Sequence, residues 1–420
     1  PQRILWYGRP GPRRMVDRHW KGMSSLYRNG TLYVIGRDYL AGMDAYNGTV
    51  RWEATIPGSG RVGLLKDCGS MTISPDNQLY IAADDSCVVL DGKSGKQVAR
   101  LPVSRFTQSG AWWGFMALAG NRLVGTATLN GAEFSMERKT DYKAIWYNGL
   151  QVVVSHSIFA ADTGTFAPVW EYAPAKGVIV NPSLTIMDGT VFFIESTNPA
   201  TRAAPSGQAG LSALWKNGPR VTAIDTTTGA RQWSVGVDLE HFDNTVFMQG
   251  KDGVLVLTGT WVAEVDGKKL IQYRLIGLSA ADGRELWRND STPSHADRAG
   301  GGHGEQTQHP VIVRDTVYGP GFARMLRTGE ECEGWKWGKS GQCSPMAASL
   351  HCAFSRQGGR TTVAEFATGR QQTMTKVTRP GCWLNILPVG GIVLVPEGSS
   401  GCTCGYSIQT SLAFYPDADR

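Results

Sequence analysis

The stretch Asp225-Thr-Thr-Thr-Gly229, with Trp233 shortly after it, recurs in variant form along the chain. Each copy follows a short hydrophobic run and places an Asp or another polar residue before a Gly, often with a Trp beyond. The other copies end at Gly48, Gly95, Gly164, Gly283, Gly329 and Gly369, and Trp52, Trp170, Trp287 and Trp335 follow four of them. Successive glycines lie 47, 69, 65, 54, 46 and 40 residues apart. Spacings of this size are typical of β-propeller blades.

The first copy shows what one unit contains. Thr31–Ile35 alternates and is rich in β-forming residues, and Tyr39–Asp44 follows after a Gly-Arg-Asp turn. Asn47-Gly48 is a tight-turn dipeptide, after which Val50–Trp52 begins an outer strand. An inner strand is predicted near Met23–Tyr27. Because four short antiparallel strands make one propeller blade, the sequence predicts an all-β fold.

The two ends of the chain predict how the ring closes. Ile4–Tyr7 looks like an outer strand without the rest of its blade, and the C-terminal stretch supplies strands at Leu384–Pro388, Ile392–Pro396 and Ser411–Tyr415. Pairing the N-terminal strand with this last blade would remove exposed sheet edges. The prediction is therefore an eight-bladed β-propeller of four-stranded antiparallel blades. Seven blades is the alternative, because the last two copies of the repeat are weak.

The phrase Ala-x-Asp-x-x-Thr-Gly-x-x-x-Trp resembles the pyrroloquinoline-quinone (PQQ)-type propeller repeat, which quinoprotein alcohol dehydrogenases share with outer-membrane assembly lipoproteins of the BamB type. The likeness covers nearly the whole chain and implies the fold, whereas activity has to be argued from a site. Four loop segments also resemble those of uncharacterised bacterial secreted propellers: Asp17-Arg18-His19, His303-Gly-Glu-Gln306, Arg379-Pro-Gly-Cys382-Trp383 and Gly401-Cys-Thr-Cys404. The adjacent-cysteine pair of many quinoprotein dehydrogenases is absent from the sequence.

Composition predicts one large domain over residues 1–420 in a secreted or periplasmic protein. The 52 Gly and 14 Trp residues fit a turn-dense propeller, and no apolar run approaches the roughly 18 residues of a membrane span. The chain begins at Pro1 without a signal peptide, which we interpret as a processed or trimmed form. Its net charge is +6, but Lys and Arg are scattered. This pattern favours an anionic ligand at a local Arg cluster over a nucleic-acid partner. The pattern does not indicate an oligomeric state.

The 8 cysteines are an even number, which is typical of proteins from an oxidising compartment. Cys68 precedes the predicted inner strand of the second blade and Cys87 opens its third strand, so a disulfide between them is compatible with the loop positions. The other cysteines lie late in the chain, where pairing cannot be read from sequence: Cys332, Cys343, Cys352, Cys382, Cys402 and Cys404. Cys402-Thr-Cys404 belongs either to two disulfides or to a metal or redox element.

Loop positions carry the functional argument. In a propeller, the connection into each inner strand and the connection between the second and third strands open on one face, where ligands usually bind. The residues just before the predicted inner strands are His19, Cys68, Trp112-Trp113, Asn181, His241, His309, Cys343 and Arg379 with Cys382. The connections of the second kind contain Arg37, Asp84-Asp85, Glu195–Asn198 and Cys402–Cys404. The prediction is one polar funnel on this face.

Histidine placement predicts a divalent metal ion in the funnel. The chain has only 7 His, of which His19, His241, His303 and His309 fall in these connections. The segment from His303 to His309 adds a carboxylate and two amides, including Gln306, and imidazole with oxygen ligands suits several divalent metals. Its spacing matches no standard zinc motif, and each His is alternatively an ordinary hydrogen-bonding loop residue.

Arginine and tryptophan in the same connections predict an acidic saccharide as ligand. Arg18, Arg37 and Arg379 would clamp a carboxylate, or alternatively pair with nearby acidic residues. Four tryptophans would stack on sugar rings or pack within the protein: Trp20, Trp112, Trp113 and Trp383.

A further group would hold a cofactor if the resemblance to quinoproteins extends to chemistry. Glu195 lies at the end of Val191–Ile194, with Asn181 and Asn198 near it in sequence. The resemblance implies that such a carboxylate and amide set would hold calcium beneath PQQ.

Three functions of different classes follow from these patterns. The first is a secreted enzyme that acts on acidic oligo- or polysaccharides, in its specific form a uronate lyase. There the metal would stabilise the uronate carboxylate, and His19, His241, Tyr142 or Tyr147 would remove the proton during β-elimination. The second is a quinoprotein oxidoreductase with PQQ and calcium, and the third is a non-catalytic binding or assembly scaffold. We expect the first by a small margin, because the His, Arg and Trp content of the loops exceeds what a scaffold needs.

Overall fold

The computed structural model describes most of the chain. The described residues are 2–8, 14–17, 22–62, 70–108, 112–129, 134–135, 151–204, 207–293, 308–335, 337, 346–357, 359–376, 378–379, 386–397, 399–400 and 408–416.

Eight antiparallel sheets form the blades of a ring, as the repeat predicts. After β1 (Gln2–Gly8) and β2 (Val16–Asp17), blade 1 contains β3 (Leu26–Arg28), β4 (Thr31–Gly36), β5 (Tyr39–Asp44) and β6 (Val50–Thr55). After β7 (Arg61–Val62), blade 2 contains β8 (Met71–Ile73), β9 (Gln78–Ala83), β10 (Ser86–Asp91) and β11 (Gln97–Pro102). A short 3-10 helix follows at Val103–Arg105.

Blades 3 and 4 carry the longest insertions, between their second and third strands. Blade 3 contains β12 (Trp112–Ala119), β13 (Arg122–Thr128), β16 (Ser157–Asp162) and β17 (Pro168–Tyr172), with β14 (Phe134–Ser135) and β15 (Gln151–Ser155) in its insertion. Blade 4 contains β18 (Ile179–Met187), β19 (Thr190–Glu195), β21 (Arg220–Asp225) and β22 (Arg231–Gly236). Its insertion holds a 3-10 helix (Pro199–Ala203), β20 (Gln208–Gly210) and helix α1 (Leu211–Trp215).

Blades 5 to 8 complete the ring. Blade 5 contains β23 (Thr245–Lys251), β24 (Val254–Val265), β25 (Lys268–Ser279) and β26 (Glu285–Pro293). Blade 6 contains β27 (Val311–Val313), β28 (Thr316–Gly319) and β29 (Phe322–Met325). Arg324 of β29 also forms an isolated antiparallel β-bridge with Glu331. Blade 7 contains β30 (Ala347–Ala348), β31 (Cys352–Gln357), β32 (Arg360–Glu365) and β33 (Gln371–Thr373). Blade 8 contains β35 (Leu387–Val389), β36 (Ile392–Val395) and β39 (Ser411–Pro416), and the short strands β34 (Thr378–Arg379), β37 (Ser399–Ser400) and β38 (Ile408–Gln409) lie near it in sequence.

The N-terminal strand closes the ring, which confirms that prediction. Strand β1 is the outer strand of blade 8 and pairs antiparallel with β39, from Gln2 opposite Pro416 to Gly8 opposite Ser411. Trp6 of β1 donates its indole N–H to the carbonyl of Ala45 in blade 1 at 2.8 Å. The first and last parts of the chain therefore join blades 8 and 1 directly.

Burial follows the position of each strand within its blade. All six residues of β4 are buried, whereas β6 alternates between half-buried and exposed residues. The second strand of a blade has neighbouring blades on both faces, so it is apolar throughout, whereas the outer strand has one wet face. The core therefore lies between adjacent sheets, as where Tyr80 and Ala82 of blade 2 pack with Trp113 and Phe159 of blade 3.

The Gly and Trp of the repeat meet across neighbouring blades. Trp52 of blade 1 donates its indole N–H to the carbonyl of Gly92 in blade 2 at 3.0 Å, and its ring lies against Gly95. The same packing against the repeat glycine of the next blade occurs for Trp6 on Gly48, Trp170 on Gly229, Trp233 on Gly283 and Trp287 on Gly329. The Trp thus packs between sheets as predicted, and its contact is the following blade's turn.

The Asp of the repeat closes the turn that presents this glycine. The Asp225 carboxylate accepts the backbone N–H groups of Thr227 and Thr228 at 3.0 and 2.8 Å. The hydrogen bond from Thr228 is the largest cause of a lowered Asp225 pKa. This local bonding explains why an Asp precedes the Gly in most copies.

Several predicted strand limits are wrong by a few residues. The inner strand of blade 1 begins at Leu26 rather than Met23, and that of blade 8 begins at Leu387 rather than Leu384. Beside the turn that follows Arg28, Leu26 pairs with Tyr33 and Arg28 pairs with Thr31. The inner strand of blade 1 thus has three paired residues. Trp112 and Asn181, predicted just before inner strands, lie within β12 and β18.

The described residues of the insertion of blade 4 pack on the blade. Leu211 and Leu214 of α1 are buried, and Ser196 donates to the carbonyl of Leu214 at 2.8 Å. Asn198 donates to the carbonyl of Ala213 at 2.9 Å. These bonds tie both ends of the insertion together.

Candidate functional site on the loop face

The connections into the inner strands and those between second and third strands pair with one another. Strand β2 runs parallel to β37, β34 runs parallel to β38, and β7 pairs antiparallel with β14. In each pair the two strands come from the two different kinds of connection. This pairing confirms, for these segments, that both kinds open on the same face, which we call the loop face.

Insertions also extend the loop face above blade 4. Strand β15, from the insertion of blade 3, pairs with β20 from the insertion of blade 4 and with β18. Backbone hydrogen bonds between connections of different blades make this face a preformed surface.

A buried arginine that sequence reasoning missed holds two of these connections together. Arg61 is 4% exposed, and its guanidinium donates to the carbonyls of Gly114, at 2.9 Å, and Trp113. It therefore fixes the connection between blades 1 and 2 against the first strand of blade 3. The signal in the sequence was its position just after the turn-forming segment Pro57-Gly-Ser-Gly60. The need of a buried arginine for several acceptors explains why it bonds to two carbonyl groups.

Many predicted site residues lie outside the described part of the chain. These are Arg18, His19, Trp20, Tyr142, Tyr147, His303, Gln306 and Trp383, together with Cys68, Cys343, Cys382, Cys402 and Cys404. Arg379 is described as part of β34, where it pairs with Gln409 of β38. Their proposed roles remain predictions.

The two described histidines of the predicted metal site lie in successive connections and contact aromatic rings. His241, with φ of 62°, stacks on Trp261 with centroids 4.2 Å apart and planes inclined by 19°. His309 lies 5.2 Å from the ring of Phe247, and its Nδ1 is 3.0 Å from the carbonyl oxygen of Pro310. Each ring is therefore held by contacts within the protein.

Glu195 and Asn181, two of the three predicted cofactor ligands, form hydrogen bonds inside the fold. Glu195 accepts from Tyr172 at 2.8 Å and from Thr222 at 3.4 Å, and burial followed by the bond to Glu195 raises the pKa of Tyr172. Asn181 is fully buried and accepts from Ser155 at 2.6 Å.

Asn198 has a local structural role. Its Oδ1 accepts the backbone N–H of Ala200 at 3.2 Å and so caps the 3-10 helix that begins at Pro199. Such caps satisfy backbone groups that the helix itself leaves unpaired.

The described residues of the predicted saccharide site are placed differently from one another. Trp113 is completely buried and meets Phe106 and Phe159 edge to face at 5.6 and 5.2 Å, so its ring faces no ligand. Trp112 and Arg37 are half-buried on the loop face. The backbone N–H of Arg37 donates to the carbonyl of Arg14 at 2.6 Å.

The described cysteines are free thiols in this structure: Cys87, Cys332 and Cys352. Cys87 is completely buried in the layer between blades 2 and 3, and this burial raises its pKa to about 12. The disulfide considered between Cys68 and Cys87 is therefore not formed, because the Cys87 side chain points into the core rather than toward the loop face.

An open groove lies on the loop face at the top of blade 4, beside the connection into blade 5. Its volume is about 620 Å³, and its walls include Trp215 of α1, Pro219, Asp238, Glu240 and Asp243. His241 also lines it and carries the stack on Trp261 from the long β24–β25 hairpin. The groove is thus acidic, with an aromatic side chain at its edge.

Ion pairs brace one wall of this groove. Arg274, 4% exposed at its side chain, donates to Asp238 at 2.8 Å and to Asp290 at 3.0 Å. Arg288 donates to the same Asp238 at 2.8 Å and to Glu285 at 2.7 Å. The wall is fixed, whereas Glu240 and Asp243 make no side-chain ion pair with any described residue.

Within the described ranges, no cluster of three or more His, Cys, Asp or Glu is arranged to bind a metal ion. The helices in the described part of the chain are too short to cross a membrane.

Comparisons with known proteins agree on the repeat. Residues 144–330 match the family model described as outer membrane protein assembly factor BamB. No curated protein matches the chain.

Three solved structures are similar in fold, at 13% sequence identity or less. BamB from Moraxella catarrhalis aligns with a TM-score of 0.54 at 13% identity, covering 97% of each chain. A europium-containing methanol dehydrogenase aligns with a TM-score of 0.54 at 11% identity, covering 99% of this chain and 93% of the other. Quinohemoprotein alcohol dehydrogenase ADHIIG from Pseudomonas putida HK5 aligns with a TM-score of 0.55 at 11% identity, covering 99% and 76%.

At these identities the structural likeness shows the fold, and the family-model match shows the repeat type. The Asp-x-x-Thr-Gly turns and their Trp partners are present in the structure where that repeat requires them. Residues 144–330 therefore carry a repeat of the BamB type, in a chain whose fold is that of the PQQ-like β-propellers.

Proposed function

We propose that this propeller is a binding or assembly scaffold that holds a polypeptide partner on its loop face. The observation that carries the proposal is the contrast between two sets of polar groups on this face. Asn181, Glu195 and Asn198 already form hydrogen bonds inside the fold. In the groove beside blade 4, by contrast, Glu240 and Asp243 are exposed to solvent. A rigid surface with exposed groups suits recognition.

The groove favours a partner segment that carries basic and aromatic or aliphatic side chains. Carboxylates of Glu240 and Asp243 would attract Lys or Arg, and the half-buried Trp215 offers an apolar contact. The matching family model is described as an assembly factor, which agrees with a polypeptide partner. In this proposal the protein works in the periplasm or outside the cell.

Site-specific photo-crosslinking in the native host tests the scaffold. A photoreactive amino acid at Trp215 should cross-link to one discrete polypeptide, and Asp243→Lys should weaken this product through charge reversal. The control position is Val98, which is 53% exposed on β11 away from the groove. Equal products from both positions, or none from Trp215, would contradict the proposal.

Quinoprotein oxidation is a second candidate because two quinoprotein dehydrogenases share the fold over 99% of this chain. Calcium binds six to eight oxygen ligands, and the described candidates do not fit such a site. Glu195 lies against Tyr172 and Thr222, Asn181 against Ser155, and Asn198 against Ala200.

Metal-assisted β-elimination on an acidic saccharide stays a prediction from the sequence, and most of its residues lie outside the described ranges. Elemental analysis and an absorbance spectrum of the purified protein separate the three candidates. A stoichiometric transition metal lost in a His303→Ala, His309→Ala double variant would favour the metal enzyme, and bound calcium with a quinone band would favour the oxidoreductase. A protein with neither would favour the scaffold.

A further inference from the structure

A large cavity opens on the face opposite the loop face, where the hairpins between first and second strands of blades 6, 7 and 8 meet. Its volume is about 1160 Å³. Its lining comes from residues 311–314 in blade 6, 348–352 in blade 7 and 388–393 in blade 8, with Gln249 and Lys251 of blade 5 on the far side. We call it the hairpin-face cavity.

Its walls are mainly apolar. Val311, Val313, Phe354, Val389 and Ile392 contribute aliphatic and aromatic surface, of which Phe354 and Ile392 are among the buried core residues. A space of this size with such walls can accept a ligand with an aliphatic body, because burying apolar surface is favourable.

The charged groups at the cavity are all basic. Lys251, Arg314 and His351 line it, and none of its described lining residues is Asp or Glu. Lys251 is neutralised in part by Asp252 at 2.6 Å. Arg314 is exposed at the β27–β28 turn and forms no ion pair with a described residue, so its charge is available to a ligand.

An unsatisfied buried acceptor adjoins these groups. The Oε1 atom of Gln249, which lines the cavity, is buried without a hydrogen-bond partner among the described residues. Buried polar atoms in folded proteins are nearly always paired. A carboxylate has no donor for this oxygen, whereas a water molecule in the cavity could donate to it.

From the apolar walls and the basic groups we propose that the hairpin-face cavity binds a small amphipathic carboxylate, with its aliphatic chain against the apolar walls and its anionic group on Arg314. The site is separate from the loop face, and it stands whether or not the scaffold proposal is right. Arg is well suited to hold a carboxylate because its guanidinium presents two parallel donors.

Calorimetric titration with decanoate, below its micelle concentration, tests the site, with decan-1-ol as the uncharged probe of the same chain length. Decanoate should bind saturably and more tightly than decan-1-ol. Arg314→Gln should weaken decanoate about tenfold and leave decan-1-ol unchanged, as expected for one charge-assisted hydrogen bond. Arg284→Gln is the matched control, because Arg284 is exposed on the turn between β25 and β26 and does not line the cavity.

A second readout uses a thiol that lines the cavity. Cys352 is half-buried there, whereas the half-buried Cys332 lies outside it. Bound decanoate should slow the alkylation of Cys352 but not of Cys332, as followed by peptide mass spectrometry. Absence of saturable binding, equal affinity for both probes, or equal protection of both thiols would overturn the proposal.

Discussion

The repeat glycine has a steric role at the joint between blades. Gly229 has φ of +74°, a conformation that glycine adopts without penalty, and its α-carbon faces the indole of Trp170. The indole N–H donates to the carbonyl of Thr226 in the same turn at 2.9 Å. The turn therefore needs glycine both for its backbone angle and for the ring that covers it.

Gly229→Ala should be much more destabilising than Gly253→Ala. Both changes force Ala into the left-handed region at a cost of about 1–2 kcal/mol. A Cβ on Gly229 would also lie 2.5 Å from Trp170 Cγ, whereas Gly253, at φ +79°, has nothing within 4 Å. The clash should add roughly 1–3 kcal/mol to the loss in free energy of unfolding. Urea denaturation measures both variants, and equal losses would contradict the steric account.

Asp238 should make the stability of the protein depend on pH in acid. Partial burial by itself raises the Asp238 pKa, but hydrogen bonds from the Glu240 backbone, Arg274 and Arg288 lower it to about 2. An Asp in an unfolded chain titrates near pH ~3.9. Since the folded pKa is the lower one, ionised Asp238 stabilises the protein above about pH 4, and this contribution is lost as the pH falls toward 2.

We therefore expect Asp238→Asn to lower the free energy of unfolding near neutral pH, with the difference from wild type shrinking as the pH falls toward 2. Denaturation at a series of pH values measures this difference. Asp243→Asn is the control, because Asp243 lies in the same groove and forms no ion pair with a described residue. A difference for Asp238→Asn that does not change with pH would refute the assignment.

At the scale of the element, the seven-residue strand β1 both completes blade 8 and contacts blade 1. It pairs with β39 through six residue pairs and supplies Trp6, which is 8% exposed and bonded to blade 1. Successive side chains of a strand point to opposite faces, so Trp6 faces blade 1 and Tyr7, at 76% exposed, faces solvent.

Trp6→Ala should lower the free energy of unfolding by about 3–5 kcal/mol, since it removes a buried indole where blade 8 meets blade 1. Tyr7→Ala, the adjacent aromatic on the same strand, should change it by no more than about 0.5 kcal/mol. Guanidinium denaturation compares the two variants. Similar effects from both would mean that β1 closes the ring by backbone pairing alone.

At the scale of the whole molecule, every blade of a closed ring has two neighbours. The joints between Trp and the repeat turn bond blade 8 to blade 1, blade 1 to 2, blade 3 to 4, blade 4 to 5 and blade 5 to 6. Buried apolar clusters join blade 2 to 3, blade 6 to 7 and blade 7 to 8. Because every blade is joined on both sides, we expect the ring to behave as one cooperative unit.

Equilibrium unfolding should therefore be a single transition. Tryptophan fluorescence reports on residues spread around the ring and far-ultraviolet circular dichroism reports on the strands, and the two curves should coincide. Two separated transitions would show that residues 1–420 contain more than one folding unit.

The sequence by itself determined the class of fold and the closing strand, and it favoured eight blades over seven. These follow from alternation within strands and from turn chemistry such as Asp225 with Thr228, which act over a few residues. Because blades repeat the same local unit, spacing along the chain translates directly into architecture.

Only the tertiary structure decided which polar side chains are available for function. Glu195 and Tyr172 come from different blades, as do Arg61 and Gly114, and neither pairing has a local signature in the sequence. Cys87 was a candidate for a disulfide from its loop position, but strand register turns it into the core. The hairpin-face cavity is lined by residues of blades 5, 6, 7 and 8, which only the closed ring brings together. Such contacts depend on how separate blades are brought together, which no local pattern encodes.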